Sequence, residues 1–237
     1  MRRSSSKPRP DVPFLSRQRI EDEAALLLAE YGEKHSWVAA PPIPIDEIIE
    51  LYLELTFELR DLQAMSGHND VHGALWVDER IVGVDQSLDP SLYPQKLGRY
   101  RFTLGHETGH WRLHRPHYLK DPNQRTLVAG TGKPAYICRS SDKRPVEWQA
   151  DYFAANLLMP RKMVHAAWQD WRGDLAPVAL DDFRSAAVAR ANGCTDEELM
   201  EDFCRPLARQ FEASPMAMRI RLEQLELMTR ERQNLLF

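Results

Sequence analysis

Cysteine is scarce in this chain. Its 237 residues contain three, Cys138, Cys194 and Cys204. They are scattered and odd in number, which excludes a disulfide framework and any CxxC metal knuckle, and fits a reducing, cytoplasmic setting. Long apolar runs are missing as well. The most hydrophobic stretch near the N-terminus, Ala24 to Ala29, is short and flanked by acids, so it is neither a secretion signal nor a membrane span. There is no excess of one charge: 31 Lys and Arg against 35 Asp and Glu give a formal net charge of −4. Whole-chain charge therefore offers no pull toward nucleic acid or anionic lipid, and any such contact must come from a local cluster. No internal repeat is present. What remains, 43% hydrophobic and 28% charged residues, is ordinary globular composition on a chain long enough to bury a core of its own.

Residues 1–13 are basic, rich in Ser and Pro and without apolar periodicity, the pattern of a disordered tail. The spacing of Ile20, Ala24, Leu27, Leu28 and Tyr31 predicts a helix over 14–32, closed by Gly32 as its C′ residue. A helix over 45–53, a strand over 55–62 and a hairpin over 74–85 follow. Strands early and helices late predict an α+β fold with a small antiparallel sheet. Further helices are expected over 102–114, 146–158, 161–171, 180–191, 195–211 and 215–228. Residues 115–145 interrupt them with four prolines and seven Lys or Arg against two Asp, a long basic loop of the kind that is often functional. The expected organisation is a tail (1–13), a core (14–172) carrying that loop, and a helical C-terminal region (173–237) with a helix-turn-helix-like segment over 204–228.

Four of the eight histidines fall between His106 and His117, within the string Phe102-Thr-Leu-Gly-His106-Glu107-Thr-Gly-His110-Trp-Arg-Leu-His114. His106 and His110 are four apart, so on a helix they project from one face a turn apart and can converge on one zinc ion. Glu107 is placed to act as general base toward a water beside that metal. HExxH alone is only modestly specific and needs a third ligand. His114 fails on geometry, because eight residues of helix put it about 12 Å from His106; it reads as a helix-end histidine near the C-terminal dipole. The metzincin pattern is absent, since Leu113 and Pro116 stand where it needs Gly and His. The better candidate lies on the next helix, where Glu147 and Asp151 are again four apart on a largely apolar segment. A buried carboxylate needs a cation. Glu147 can be the third ligand, giving two His, one Glu and an open position, the catalytic pattern. Asp151 can accept the outer N–H of a ligand histidine.

The two strings, RFTLGHETGHWRLH and EWQADYFAANLLMP, resemble the ImmA/IrrE metallopeptidases, a gluzincin-like group. The resemblance covers both active-site helices. It implies a zincin-like helix pair in which His106, His110 and Glu147 bind Zn²⁺ and Glu107 is the catalytic carboxylate. Characterised relatives cut a helix-turn-helix transcriptional repressor and so switch on stress, mobile-element or phage-defence genes. Gly105 and Thr108 depart from the common residues, the connection from His110 to Glu147 is longer than usual, and the end at Phe237 predicts no GAF-like sensor domain.

Several readings stay open at this level. Tyr136, Tyr152, Arg161 and His165 are candidates for an oxyanion donor. Cys138 is a candidate latch whose thiolate would occupy the open zinc position. The edge strand that holds an extended substrate is expected over 80–85. Loop 115–145 and segment 204–228 are possible nucleic-acid contacts. In the latter, Ser214 and Pro215 open the second helix, Leu207, Phe211, Met218, Leu222 and Leu225 form a small core, and Arg219 and Arg221 lie toward its exposed side. The competing functions are a DNA-binding regulator with a structural or degenerate zinc site, and a ligand-sensing module.

Overall fold

The computed structural model describes residues 12–120, 134–139, 141, 142, 144–182, 184 and 195–231. Residues 1–11 of the tail, most of the helix expected over 180–191, Cys194, and the middle of loop 115–145 with Arg125 and Lys133 lie outside the described residues.

The fold is α+β, as expected, with a small sheet and a largely helical remainder. Helix α1 (Arg17–Lys34) is capped by the Ser16 side chain, which accepts from Arg19 N, and buries Ile20, Ala24, Leu27 and Tyr31. It does not stop at Gly32; that glycine lies inside the helix, under the Trp37 ring. After a helical turn over Ile45–Glu47 and a wider one over Ile48–Tyr52 come β1 (Thr56–Arg60), β2 (Val71–Trp76) and β3 (Ile81–Asp85). Two departures shape the sheet. Its order is β1-β3-β2-β4, and β1 runs parallel to β3, so the sheet is mixed rather than purely antiparallel. The fourth strand, β4 (Tyr136–Arg139), comes from within the expected loop and pairs antiparallel with β2. Residues 80–85 are therefore an internal strand, and β4 is an edge.

Helix α2 (Leu97–Gly109) continues through a π-helical turn, His110–His114, into a further helical turn, Arg115–Lys120. Helix α3 (Pro145–Leu158) packs along it, with Gly105 and Gly109 against Ala154 and Ala150. Small residues at this crossing let the backbones approach closely enough for α3 to reach the polar face of α2. Helix α4 (Arg161–Arg172) ends at Gly173 in the left-handed region, φ +88°, where glycine has no Cβ penalty.

The C-terminal part holds α5 (Asp196–Gln210), opened by a reciprocal Thr195–Glu198 capping box, and α6 (Pro215–Gln224), capped by Ser214 accepting from Ala217 N. Both caps satisfy orphan N–H groups. Leu207, Phe211, Met218, Leu222 and Leu225 are buried together. Two-residue strands β5 (Val178–Ala179) and β6 (Met228–Thr229) pair in parallel. No described helix is long and apolar enough to cross a membrane.

Candidate metal centre

The centre sits where α2 crosses α3 under the sheet. His106 Nε2, His110 Nε2 and Glu147 Oε2 form a nearly equilateral triangle with sides of 3.0, 3.3 and 3.3 Å. Three ligands at zinc bond lengths in tetrahedral array stand about 3.3 Å apart, so the donor set fits zinc in kind and in spacing. All three residues are buried.

Each member has an orienting partner. Asp151 Oδ1 lies 2.7 Å from His106 Nδ1 and accepts its N–H. Glu147 Oε1 accepts from Arg144 Nη2 at 2.8 Å, which leaves Oε2 for the triangle, and Arg144 is itself clamped by Asp142. His110 Nδ1 is 2.8 Å from His114 Nδ1. With Nε2 of His110 turned to the triangle, its Nδ1–H donates and His114 accepts. His114 is therefore not a helix-end histidine at the dipole. It is buried against His110, one turn further along the same face, because the helix continues through the π-helical turn to Lys120. The i, i+4 step that links His106 to His110 also links His110 to His114, and that step was the available signal. Arg144 carried no signal beyond its charge.

The electrostatics favour a cation here. Burial raises the Glu147 pKa, but His106 and His110 hydrogen bonds outweigh it and hold the carboxyl well below the ordinary range. Burial opposes charge on His106, yet Cys138, Asp151 and Glu147 together raise its pKa well above the usual value. Burial drives His110 down to about 4, and burial with the neighbouring His110 drives His114 to about 3. Glu107 is fully buried, neither carboxylate oxygen has a protein partner, and desolvation pushes its pKa up to about 8. A buried carboxylate left unsatisfied is a costly arrangement that implies a further polar species beside it.

Glu107 owes its position to a glycine. A Cβ on Gly73 of β2 would stand 2.5 Å from Glu107 Oε1 and 2.6 Å from Thr103 Cγ2. The β2–β4 register shifts between Val71 and Gly73, an irregularity of the type that re-aims side chains near sites. His72 of β2 reaches the cleft and accepts from Arg99 Nη2 at 2.7 Å. Sequence reasoning missed His72 and Gly73.

Cys138 lies on β4. Its Sγ and ligand atoms of His106 and Glu107 are all within 4.8 Å of one another, but it is not a member of the His106–His110–Glu147 group. Burial raises its thiol pKa. Of the oxyanion candidates, Tyr152 lines the cleft. Tyr136 stacks on the His110 ring at 4.5 Å and donates to His114 O. Arg161 is paired with Glu21, and His165 is no part of the cleft wall.

The IrrE N-terminal-like domain family (Peptidase_M78) matches residues 93–223, a span that holds both helices of the centre. The chain belongs to this family. Its domain is thus of the metallopeptidase type. Among solved structures, a Mycobacterium tuberculosis transcriptional regulator is similar at TM-score 0.47 and 15% identity, over 92% of this chain and 50% of that one. The chain thus spans half the length of that protein. No curated protein matches.

Among the described residues, several basic side chains expected to meet nucleic acid are engaged elsewhere; Arg125, Lys133 and Lys143 lie outside the described residues. Arg221 is 1% exposed and donates to Met159 O, while Arg219 is tied to Glu201 and Glu223. Neither lies on an open helix face, because that helix packs on the core through Arg221. In the loop, Arg115 lies over the Trp111 ring, Arg139 pairs with Asp70 and Arg144 with Asp142 and Glu147.

Proposed function

We propose that the chain is a zinc-dependent endopeptidase acting in the cytoplasm on a helix-turn-helix transcriptional repressor, so that cleavage derepresses stress, mobile-element or phage-defence genes. The observation that carries the catalytic part is the triangle of ligand atoms with an unpartnered, buried Glu107 carboxylate beside it. The repressor as substrate is supported by the family resemblance alone.

His106, His110 and Glu147 would hold the ion, with Asp151, His114 and Arg144 fixing their orientations. When bound, zinc would polarise a peptide carbonyl and acidify a water. Glu107, made more basic than an ordinary carboxylate by burial, takes the proton of the attacking water and returns it to the leaving amine. Tyr152, on the cleft wall, is the hydroxyl donor suited to a developing oxyanion. The outer edge of β4 offers main-chain groups to an extended substrate.

The test is zinc content together with cleavage of a co-expressed helix-turn-helix protein encoded beside this one. Wild type should cut; Glu107→Gln should keep its zinc and lose about 10²–10⁴-fold in rate. Equal cutting by both, or by neither, would overturn the reading. His106→Ala and Glu147→Ala should instead lose the metal.

A further inference from the structure

The cleft that contains the ligand triangle is not closed by the peptidase helices alone. It is a cavity of about 760 Å³, within the size range of small-ligand and side-chain pockets, and its third wall is α6. Helix α2 contributes Phe102 to the lining and α3 contributes Trp148 and Tyr152. From α6 come Met216 and Ile220, four residues apart on one face, 53% and 39% exposed.

The wall is fixed in place. A Cβ on Gly98, at the start of α2, would stand 2.5 Å from Ser214 N and 2.6 Å from Ala213 C, so the α5–α6 turn rests directly on α2. Arg101 pairs with Glu212 at 3.2 Å. Arg221, about a quarter-turn of α6 from Ile220, donates Nε to Met159 O at 3.0 Å and is buried. The helix is thus pinned by Arg221 and by the turn that precedes it, buries Met218 and Leu222 in the core, and leaves Met216 and Ile220 on the cleft.

We infer that α6 is a substrate-recognition wall: Met216 and Ile220, with Phe102 and Trp148 opposite, receive a large apolar side chain of the peptide held at the metal centre. The occupant follows from continuity and chemistry. The pocket opens onto His106 and Glu147, so a chain whose carbonyl lies at the triangle has its neighbouring side chains here; charged residues such as Arg99 and Glu201 also line the pocket, but the part formed by Phe102, Trp148, Met216 and Ile220 is hydrocarbon and aromatic ring. The inference rests on the peptidase reading and deepens it by naming what the enzyme selects.

Two hydroxamates separate the two claims on the zinc-loaded full chain. Acetohydroxamate reports the metal centre alone, whereas 4-phenylbutanohydroxamate adds an apolar arm. By calorimetry, wild type should bind the second about tenfold more tightly than the first, from burial of the arm. Met216→Asp and Ile220→Asp should each bring the ratio to within about threefold of parity, with acetohydroxamate affinity and melting temperature unchanged, since both side chains are exposed. A ratio near one in wild type, or a ratio untouched by both variants, overturns the recognition wall and leaves the peptidase reading standing. Failure of acetohydroxamate to bind zinc-loaded wild type overturns the peptidase reading, and the wall falls with it.

Discussion

Two helix pairs in this molecule look alike in sequence and differ in how they are used. In α2 and α3, polar residues four apart (His106 and His110, Glu147 and Asp151) meet, three of them buried and Asp151 reaching His106 from the exposed rim. In α5 and α6, a helix, a short turn and a second helix with arginines suggest an outward, nucleic-acid-reading face, yet Arg221 is buried and Met216 and Ile220 line the cleft. In the first pair the chemistry is written in helical periodicity, because ligands of one ion must share a face whatever surrounds them. In the second, exposure is set by what the helix docks on, and periodicity carries no information about that.

The sharpest way to break this contrast is at a residue with no side chain. Gly73→Ala would drive a Cβ into Glu107 Oε1. Displacing the base by about 1 Å should cost about 100-fold in cleavage rate, while zinc content stays at the wild-type level. Normal cleavage would mean that β2 does not position Glu107. Next in size is His114→Ala. Removing the acceptor of the His110 Nδ1 proton should weaken zinc about 10–100-fold, read by competition with a chelator; His114→Asn, which keeps an acceptor, should recover part of the loss. If His114→Ala binds zinc as wild type does, the histidine is only packed against the centre.

How much of this was legible follows from the range of each signal. The ligands and Asp151 are joined by single helical turns, and the helix containing Glu147 is strongly apolar, so their convergence was readable. His114 obeys the same spacing, but its partner is His110 and not His106, so its distance along the helix from His106 is uninformative. The strand β4 is four residues inside a proline-rich connection, and its place beside β2 rests on pairing across more than sixty residues of chain. The parallel pairing of β1 with β3 is likewise non-local. Gly73 matters only because Glu107 lies across from it, which no local pattern encodes.

Arg221 tests the second helix pair. Its guanidinium is buried, with desolvation lowering its pKa to about 10, and it bonds the Met159 carbonyl at the end of α3. Arg221→Ala should leave that carbonyl short of a partner and open a cavity, costing about 1–3 kcal/mol in urea denaturation. Arg219→Ala, whose ion pairs are partly exposed, should cost about 1 kcal/mol or less. Equal and negligible losses would return both arginines to the surface and restore the case for nucleic-acid binding.

Cys138 gives the smallest effect and bears on both regions, because β4 carries it to the cleft while its thiol faces the ligands. Its Sγ keeps company with His106 and Glu107, not with the complete triangle. A latch in which the thiol sits at the open position of the triangle in about half to two-thirds of the molecules is the case to test. Release of a partly populated closed state raises activity by no more than the inverse of the open fraction. Cys138→Ala should therefore increase basal cleavage about two- to threefold. Cobalt-substituted wild type should show a weak thiolate-to-metal charge-transfer band that the variant lacks. If the band is absent and cleavage is unchanged, Cys138 is a packing residue between β4 and α2.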